Sequence, residues 1–466
     1  MSLLPPGPLL PPFIATYRLI KHPYELMQTC YQRYGDIFTI KLYRDSKTIL
    51  QGQPTVFLAD PEAVKDVFTR LAKKFQAGET NRFLEPFLGE NSLLLIDGSK
   101  HNRQRRLILP AFHGERMRMF GDVMRECAYT AIDQWRVGEV LRLRDQMQAI
   151  TLRVIIESVF GKEMSRRTPE IIEMVRGFLH IPTLYTFMSF LRVDLGRWSP
   201  WGRFLYWRAR LNKLLFEEIA RRRANPHPEP EDVLDMLLLA RDEEGESMTA
   251  EEIRDQSLTL LFAGHETTAI SLTWLFATLL RTPTVIEKLV AEHHTVVGDR
   301  PITADLLPKL VYLDATIKES MRLNNLFPIV GRKVIEPIEI KGYQLPIGTL
   351  VAPCNLLVHQ SAALYAEPSQ FRPEHFLGEA NHPYGWFPFG GGPRRCIGMD
   401  FAQFEMKILV ASILPRIEME LLPNQSFKPR RQGITLAPPT GVQVRVLAIR
   451  PSPAAQLRTA NCTLQT

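Results

Sequence analysis

A glycine-rich loop near the C-terminal end constrains this chain more than any other feature. Residues 389–398 read Phe-Gly-Gly-Gly-Pro-Arg-Arg-Cys-Ile-Gly, and an apolar-periodic segment that predicts a helix begins near Met399. Three consecutive glycines allow the backbone to approach a flat ligand closely. Because the following helix directs its free N–H groups and positive dipole end at Cys396, the loop favours a thiolate, the form of cysteine that binds metal. The alternative is an inert free cysteine, which is what most isolated cysteines are.

A long helix is predicted over residues 250–282. Thr249 and Glu252 have the spacing of a capping box at its start, and Pro283 marks its end. At ~1.5 Å per residue the helix would be roughly 50 Å long and would cross the molecule. Its apolar stretch 258–280 has nearly the length of a membrane span, but a carboxylate in the middle favours a buried functional helix.

The middle of this helix, residues 263–268, reads Ala-Gly-His-Glu-Thr-Thr. The small Ala263 and Gly264 allow a planar ligand to lie against the helix, and Thr267 can bond a carbonyl one turn back or open a kink for water. Hydroxyl and carboxylate groups at this place could relay protons. The alternative is that Gly264 is a packing contact and that Glu266 is a solvated residue.

Together the two segments resemble the cytochrome P450 monooxygenases. The loop matches the haem-ligating signature Phe-x-x-Gly-x-Arg-x-Cys-x-Gly, and the helix matches the oxygen-activation motif Ala/Gly-Gly-x-Asp/Glu-Thr. The resemblance implies a haem b cofactor with Cys396 as its iron ligand, and it places Glu266 and Thr267 in the proton-delivery positions. It also implies a mainly α fold with small β-sheets, a triangular helical prism around one haem.

Cations for the haem propionates are implied by the same resemblance. Arg394 lies two residues before the cysteine, and Arg332 and Arg105 match the family's other propionate arginines. His101 stands where the family usually has tryptophan, and histidine can still donate a hydrogen bond to a propionate. The remaining predicted cofactor contacts are Ala263, Gly264, Phe389, Gly390 and Gly398.

A Glu-x-x-Arg pair, Glu319 and Arg322, lies between the long helix and the cysteine loop. Its i, i+3 spacing puts both groups on one helix face, where they can form a bidentate pair. The pair is common on ordinary exposed helices, but here it resembles the family's structural Glu-x-x-Arg behind the haem. His375 stands where the family usually supplies an arginine, so we expect a weaker and pH-sensitive third partner.

Elsewhere the pattern is α-rich with small sheets at both ends. Proline interruptions and the alternation of apolar residues define the elements. Strands are predicted near 36–43 and 54–59, helices over about 61–71 and 201–223, and a β-pair over 433–449 with Val442, Val444 and Val446 on one face.

Composition fits an intracellular enzyme. Length alone would suggest roughly three domains, but the resemblance implies a single domain over residues 1–466, because Thr267 and Cys396 would contact one haem. The chain has 45% hydrophobic and 23% charged residues, and its five scattered cysteines do not form a disulfide pattern. The Pro-rich segment 1–15 cannot form a membrane anchor, and the polar tail 451–466 is expected to be disordered. A net charge of +7 without a dense basic block excludes nucleic-acid binding. We expect a cytoplasmic monomer without a transmembrane anchor.

The resemblance implies monooxygenation with O₂ and with electrons from separate proteins, because the chain has no flavin or nicotinamide fingerprint and no ferredoxin-type cysteine cluster. Lys100, Arg103 and Arg106 favour an acidic partner such as ferredoxin, which would be reduced by a ferredoxin reductase. The alternative is an ordinary solvated basic face.

A lipophilic substrate is favoured, because the residues at the family's pocket positions are all apolar. Arg44 and Lys47 could bind a carboxylate, so a fatty acid or hydrocarbon is preferred, with a terpenoid or a polycyclic aromatic compound as the alternative. A haem protein that binds ligands without oxygenating them and a cofactor-free lipid-binding module also remain open. The pocket candidates, each of which could equally be core, are Leu93, Leu94, Leu95, Phe262, Phe327, Ile329, Val330 and Leu436.

Overall fold

Helices form most of the computed structural model, which describes residues 4–43, 52–112, 114, 116–165, 168–179, 185, 192–378, 382–439 and 441–451. Short 3₁₀ turns connect several of them. The described helices are α1 (Pro12–Lys21), α2 (Pro23–Tyr34), α3 (Pro61–Phe68), α4 (Gly78–Asn81), α5 (Glu85–Leu88), α6 (Gly98–Ile108), α7 (Arg116–Ile132), α8 (Leu143–Ser165), α9 (Thr168–Leu179), α10 (Pro200–Ala224), α11 (Val233–Leu239), α12 (Ala250–Leu279), α13 (Pro283–Val296), α14 (Val311–Leu323), α15 (Asn355–Val358) and α16 (Met399–Ile413).

The strands are short and lie at the two ends of the sequence, with β4 between them. They are β1 (Ile37–Leu42), β2 (Gln53–Leu58), β3 (Phe75–Gln76), β4 (Val140–Arg142), β5 (Arg332–Val334), β6 (Ile338–Ile340), β7 (Tyr343–Leu345), β8 (Leu350–Pro353), β9 (Ile417–Leu421), β10 (Arg430–Gln432), β11 (Thr435–Ala437) and β12 (Gln443–Ile449). The largest sheet has the order β1-β2-β8-β5-β3, in which only β2 and β8 pair in parallel.

The smaller sheets correct one expectation. The predicted β-pair over 433–449 is wrong, because β11 pairs with β10, whereas β12 lies between β4 and β9. Val444 and Val446 are buried on one face of β12 as predicted. Val442 is also buried, but it precedes the strand with φ +58°, a conformation that is rare for a β-branched residue.

Helix α12 is the central element of the fold. The predicted capping box is present, since the Thr249 hydroxyl accepts from the Glu252 N–H at 3.1 Å and the Glu252 carboxylate accepts from the Thr249 N–H at 3.0 Å. Most of its 30 residues are buried. Helix α12 packs along α8, and α16 packs on α7. One large hydrophobic core includes residues from all four helices.

Across the described residues, no single helix is long and apolar enough to cross a membrane. Helices α12 and α13 pass that test only as a pair, and the chain bends by 108° between them. The Pro-rich segment ends inside α1, and residues 452–466 of the predicted disordered tail lie outside the described residues.

Candidate active site

The cysteine loop turns tightly in front of α16. The Cys396 N–H donates to the Phe389 carbonyl at 2.9 Å. Gly392 has φ +64°, and a Cβ added at Gly391 or Gly392 would overlap Phe68 of α3. The two glycines therefore allow a close approach to Phe68, to its ring at Gly391 and to its main chain at Gly392, and the approach to a flat ligand stays a prediction.

Cys396 is exposed at the end of this loop. Its side chain has accessible surface although protein atoms surround it, and this burial raises the pKa of the thiol. The Gly398 N–H and the guanidiniums of Arg105 and Arg395 act in the opposite direction without cancelling the effect. The effect of the Gly398 N–H has the direction that the sequence suggested, and the thiolate itself stays a prediction. A coordinated metal cation deprotonates such a thiol, so the site fits a sulfur that is ionised when it binds metal.

The predicted propionate-binding residues gather beside this loop. Burial and, to a smaller extent, the neighbouring Arg394 lower the pKa of Arg332 to about 10. Burial and Arg394 likewise lower the pKa of His101 to about 4, with a contribution from Arg105. Like charges in a desolvated place are unfavourable unless anions offset them. Asp97 is one such anion, and a dicarboxylate cofactor fits the charge that remains.

Asp97 was missed by sequence reasoning, although it directly precedes α6, where an acidic residue is common. Its carboxylate accepts from the N–H groups of Ala77 and Gly78 at 3.0 Å and contacts the Arg394 guanidinium. Arg394 also donates to the Leu93 carbonyl at 3.1 Å. Arg394 therefore joins the cysteine loop to the segment that precedes α6.

On α12, the Thr267 hydroxyl donates to the Ala263 carbonyl at 2.5 Å, which is the bond one turn back that the sequence suggested. The Cβ position of Gly264 faces Ile155 of α8, whose Cδ1 would lie 2.8 Å away. Gly264 is therefore a packing contact on the side that faces α8. Contact of Gly264 or of the half-buried Ala263 with a cofactor stays a prediction.

Glu266 is directed at α8. Its carboxylate contacts the Arg144 guanidinium and accepts from the Gln148 amide at 2.5 Å. Arg144 in turn lines a surface cleft together with Arg142, Asp145 and Gln443, among others. Glu266 is thus paired with Arg144 and Gln148, and the alternative that it is a solvated residue does not describe it. Arg144 and Gln148 had no signal in the sequence, because their partner lies more than 100 positions away.

A second carboxylate, Glu405 of α16, lies near the same helix. It is 1% exposed, its Oε1 has no hydrogen-bond partner among the described residues, and burial raises its pKa well above the usual value. The Thr268 hydroxyl is its hydrogen-bonding neighbour. Burial therefore favours the neutral acid at Glu405. A single glutamate within the apolar pattern of α16 was the available signal.

Glu319, Arg322 and His375 come together as the sequence suggested. Arg322 donates to Glu319 through Nε at 2.7 Å and Nη2 at 2.8 Å, and both side chains are fully buried. His375 Nδ1 lies 3.1 Å from a Glu319 oxygen, and its Nε2 lies 2.7 Å from the Ala366 carbonyl.

The pocket candidates separate into three groups. Leu94, Leu95 and Phe262 pack in one aromatic-rich cluster with Phe87 and Phe204. Other candidates pack elsewhere or lie outside these clusters. Leu93 belongs to the main core, Ile329 packs on the N-terminal cluster, Leu436 is buried in β11, and Phe327 and Val330 are half-buried.

The basic face on α6 is partly neutralised. Arg103 donates to Asp242 at 2.5 Å, and Arg106 donates to Glu243 at 2.7 Å. Lys100 donates to an asparagine side chain and keeps its charge. The predicted acidic-partner surface is thus less positive than the sequence implied.

Known proteins match both the sequence and this arrangement. The sequence pattern of the Cytochrome P450 family matches residues 5–446. The chain is 35% identical to cytochrome P450 135B1 of Mycobacterium bovis over 98% of this chain and 94% of that protein. It is 32% identical to cytochrome P450 135A1 of Mycobacterium tuberculosis over 96% of each. The chain belongs to the cytochrome P450 family.

Solved structures agree with this P450 assignment. A retinoic acid-bound cyanobacterial CYP120A1 superposes with a TM-score of 0.84 at 26% identity over 96% of this chain and 99% of that one. The haem domain of cytochrome P450DA superposes with a TM-score of 0.83 at 25% identity over 96% and 98%. The protein is therefore a haem b monooxygenase that uses O₂, an organic substrate and redox partners, and the expected P450 fold is confirmed.

Proposed function

We propose that this P450 hydroxylates a lipophilic substrate, preferably a fatty acid or a hydrocarbon. The observation that carries the proposal is the cluster in which Leu94, Leu95 and Phe262 pack against Phe87 and Phe204. Phe262 directly precedes the 263–268 segment of α12, so this apolar surface adjoins the predicted oxygen-activation motif. Such a surface favours an apolar chain over a polar substrate.

Cys396 would bind the haem iron, and Arg105, Arg332, Arg394 and His101 are the proposed propionate partners. Haem, when bound, supplies oxygen activation and insertion of one oxygen atom into a C–H bond. The protein residues hold the cofactor by charge and by the sulfur. Because desolvation is offset when opposite charges meet, the propionates would relieve the repulsion among the buried cations. We also propose that residues 1–466 form one domain around the cofactor.

Proton delivery is proposed for Thr267 and Glu266. The Thr267 hydroxyl can give up its bond to the Ala263 carbonyl and bond instead to a group that binds beside residues 263–268 of α12. Glu266 is linked through Arg144 to the surface cleft, which gives solvent protons a polar route to α12. A carboxylate held by a cation and an amide can move between partners at small cost.

A second substrate class, a terpenoid acid, has its own support. The cyanobacterial neighbour is described with retinoic acid bound, and retinoic acid is an isoprenoid carboxylic acid. Fatty acids share its apolar chain and terminal carboxylate. Arg44 and Lys47, which were predicted to bind such a carboxylate, lie outside the described residues.

A ferredoxin with its reductase is the proposed electron donor. Arg395 is exposed beside Cys396, and Lys100 keeps its charge, which supports an acidic partner on this side. Reconstituted turnover should fall as ionic strength rises, and Arg395→Glu should raise the KM for ferredoxin. Equal turnover at low and high salt would contradict electrostatic docking.

The substrate proposal is tested by titrating the ferric protein with a saturated fatty acid, its parent alkane, retinoic acid and a polycyclic aromatic hydrocarbon. Displacement of the distal water appears as a spin-state change, and mass spectrometry of reconstituted reactions identifies products. We expect binding and single hydroxylation of the fatty acid or the alkane. Tighter binding of retinoic acid would favour the terpenoid alternative, and binding without any hydroxylated product would favour a non-oxygenating protein.

A further inference from the structure

The peptide of Phe387 anchors the start of the cysteine loop. Its N–H donates to His359 Nε2 at 3.0 Å, and its carbonyl accepts from the Asn355 amide at 3.1 Å. The same carbonyl accepts from the Gly390 N–H at 2.9 Å. The carbonyl of Phe389, which directly precedes Gly390, accepts from the Cys396 N–H. Three short hydrogen bonds thus connect the His359 ring to the main chain of the cysteine.

The orientation of the His359 ring is fixed from its other side. The Asn325 amide nitrogen donates to the Arg322 carbonyl at 2.9 Å, so the Asn325 oxygen faces His359 Nδ1, which lies 2.9 Å away. Nδ1 must then carry the proton, and Nε2 must present its lone pair to Phe387. Arg322 also donates to the His359 carbonyl at 2.6 Å. The Arg322 guanidinium therefore holds the peptide of His359, and the Arg322 main-chain carbonyl orients the ring through Asn325.

His359 is fully buried, and this burial, with a contribution from Arg322, lowers the pKa of its ring to about 3. The imidazole is neutral across the physiological range, so the acceptor at Nε2 is permanent. A solvated histidine would lose it on protonation.

We infer that His359 is the positioning residue of the cysteine ligand: it transmits the rigidity of the Glu319–Arg322 pair to the loop and keeps Cys396 at a fixed place. The inference rests on the proposed role of Cys396 as haem ligand. A loop released at Phe387 would no longer hold the sulfur at this place, because the hydrogen bonds that join His359 to the Cys396 main chain would be interrupted.

Two substitutions test this. His359→Leu removes the acceptor, whereas His359→Gln offers an oxygen to Phe387 and keeps an amide donor. We would measure haem content, the ferric–ferrous potential and, in the reduced carbon-monoxide complex, the rate at which the thiolate-shifted Soret band is lost. We expect His359→Leu to bind haem but to lose that band roughly fivefold faster, because one net hydrogen bond is missing. We expect His359→Gln to restore the rate to within about twofold of wild type.

His382 provides a matched control in the same loop. Its Nδ1 accepts from the Tyr384 N–H at 3.0 Å, and its Nε2 lies 2.8 Å from a Glu62 carboxylate oxygen. Among the residues that the structure describes, no hydrogen bond joins Tyr384 to Gly390. His382→Leu should keep the wild-type rate. Equal rates in His359→Leu and wild type, equal acceleration in His382→Leu, or no rescue by glutamine would each overturn the inference.

If His359→Leu yields no haem protein, Asn355→Ala carries the test, because it removes the other side-chain bond to the Phe387 peptide. We expect a smaller acceleration of the same band loss, and an unchanged rate would overturn the inference. Failure of the proposed function looks different: if Cys396 is not the ligand, the wild-type protein itself lacks the thiolate-shifted band.

Discussion

The cysteine loop and helix α12 treat their buried polar groups in opposite ways. Around the loop, Phe387 has both its N–H and its carbonyl bonded to buried side chains. Along α12, His265 Nδ1 has no hydrogen-bond partner in the described part of the chain, and neither has Oε1 of the adjoining Glu405. Thr267 uses its hydroxyl on its own helix.

This difference matches two different tasks. A residue that must hold a metal benefits from a fully satisfied surrounding, because each bond resists displacement. Groups that pass protons must change partners, and an unsatisfied buried group costs about 1–3 kcal/mol that a new partner would recover. The Phe387 peptide is therefore held at both its N–H and its carbonyl, whereas His265 Nδ1 on α12 is left to take a new partner.

The largest effect should come from Cys396→Ser, which tests whether the rigid side holds a metal ligand at all. A hydroxyl is a far weaker donor than a thiolate, so we expect loss of the thiolate-shifted Soret band and loss of monooxygenation. Difference spectra of the reduced carbon-monoxide complex check this. Cys354→Ser, at a buried thiol of β8–α15, is the control and should keep the band.

Arg322→Ala should destabilise the protein most. It removes one partner of a fully buried ion pair and three hydrogen bonds to carbonyls, so we expect a loss of about 3–5 kcal/mol. Urea unfolding of purified protein measures the change. Arg372→Ala removes an exposed pair with Glu367 and should cost at most about 1 kcal/mol. Similar losses of unfolding free energy in both variants would show that the buried Glu319–Arg322 pair stabilises the protein no more than an exposed pair does.

Thr267→Ala tests the mobile side. The variant should keep haem and stability, because its hydroxyl bonds only its own helix, but product formed per reduced cofactor should fall roughly tenfold as reducing equivalents go to peroxide. Thr278→Ala removes the same kind of bond, to the Trp274 carbonyl at 2.8 Å, further along α12. Coupling should be unchanged there, and retained coupling in Thr267→Ala would contradict the assigned role.

Residues that act within one local segment were predictable from the sequence. The spacing of Thr249 and Glu252 gave the start of α12, and the spacing of Glu319 and Arg322 gave their ion pair, because both depend on helical geometry alone. The resemblance to a family then indicated that His375 joins this pair.

Long-range partners were not predictable. The need for Gly391 and Gly392 arises from Phe68, which is more than 300 positions earlier. Arg103 and Arg106 find acids in the segment before α12, which a charge count cannot show. Strand β12 follows the same rule: its alternation gave the buried face, but pairing with β4 and β9 depends on the folded chain.

The smallest effect concerns pH and sharpens the contrast between a fixed and a mobile side. His359 has a pKa of about 3 in the folded protein and an ordinary value of 6.5, so below pH 6.5 the unfolded chain binds a proton that the folded chain does not. Stability therefore falls as pH decreases from 6.5 towards 3, by about 1 kcal/mol per pH unit in the upper part of this window.

His359→Gln removes this term. Its free energy of unfolding, measured with urea, should be below that of wild type at pH 7.5, and the difference should shrink by about 1 kcal/mol at pH 5.5. Measuring both proteins at both pH values cancels the carboxylates, which titrate equally in each. If the difference stays constant with pH, the His359 ring already accepts a proton in the folded state. Nε2 would then not be a permanent acceptor for the Phe387 N–H, and it could not explain a rigid loop.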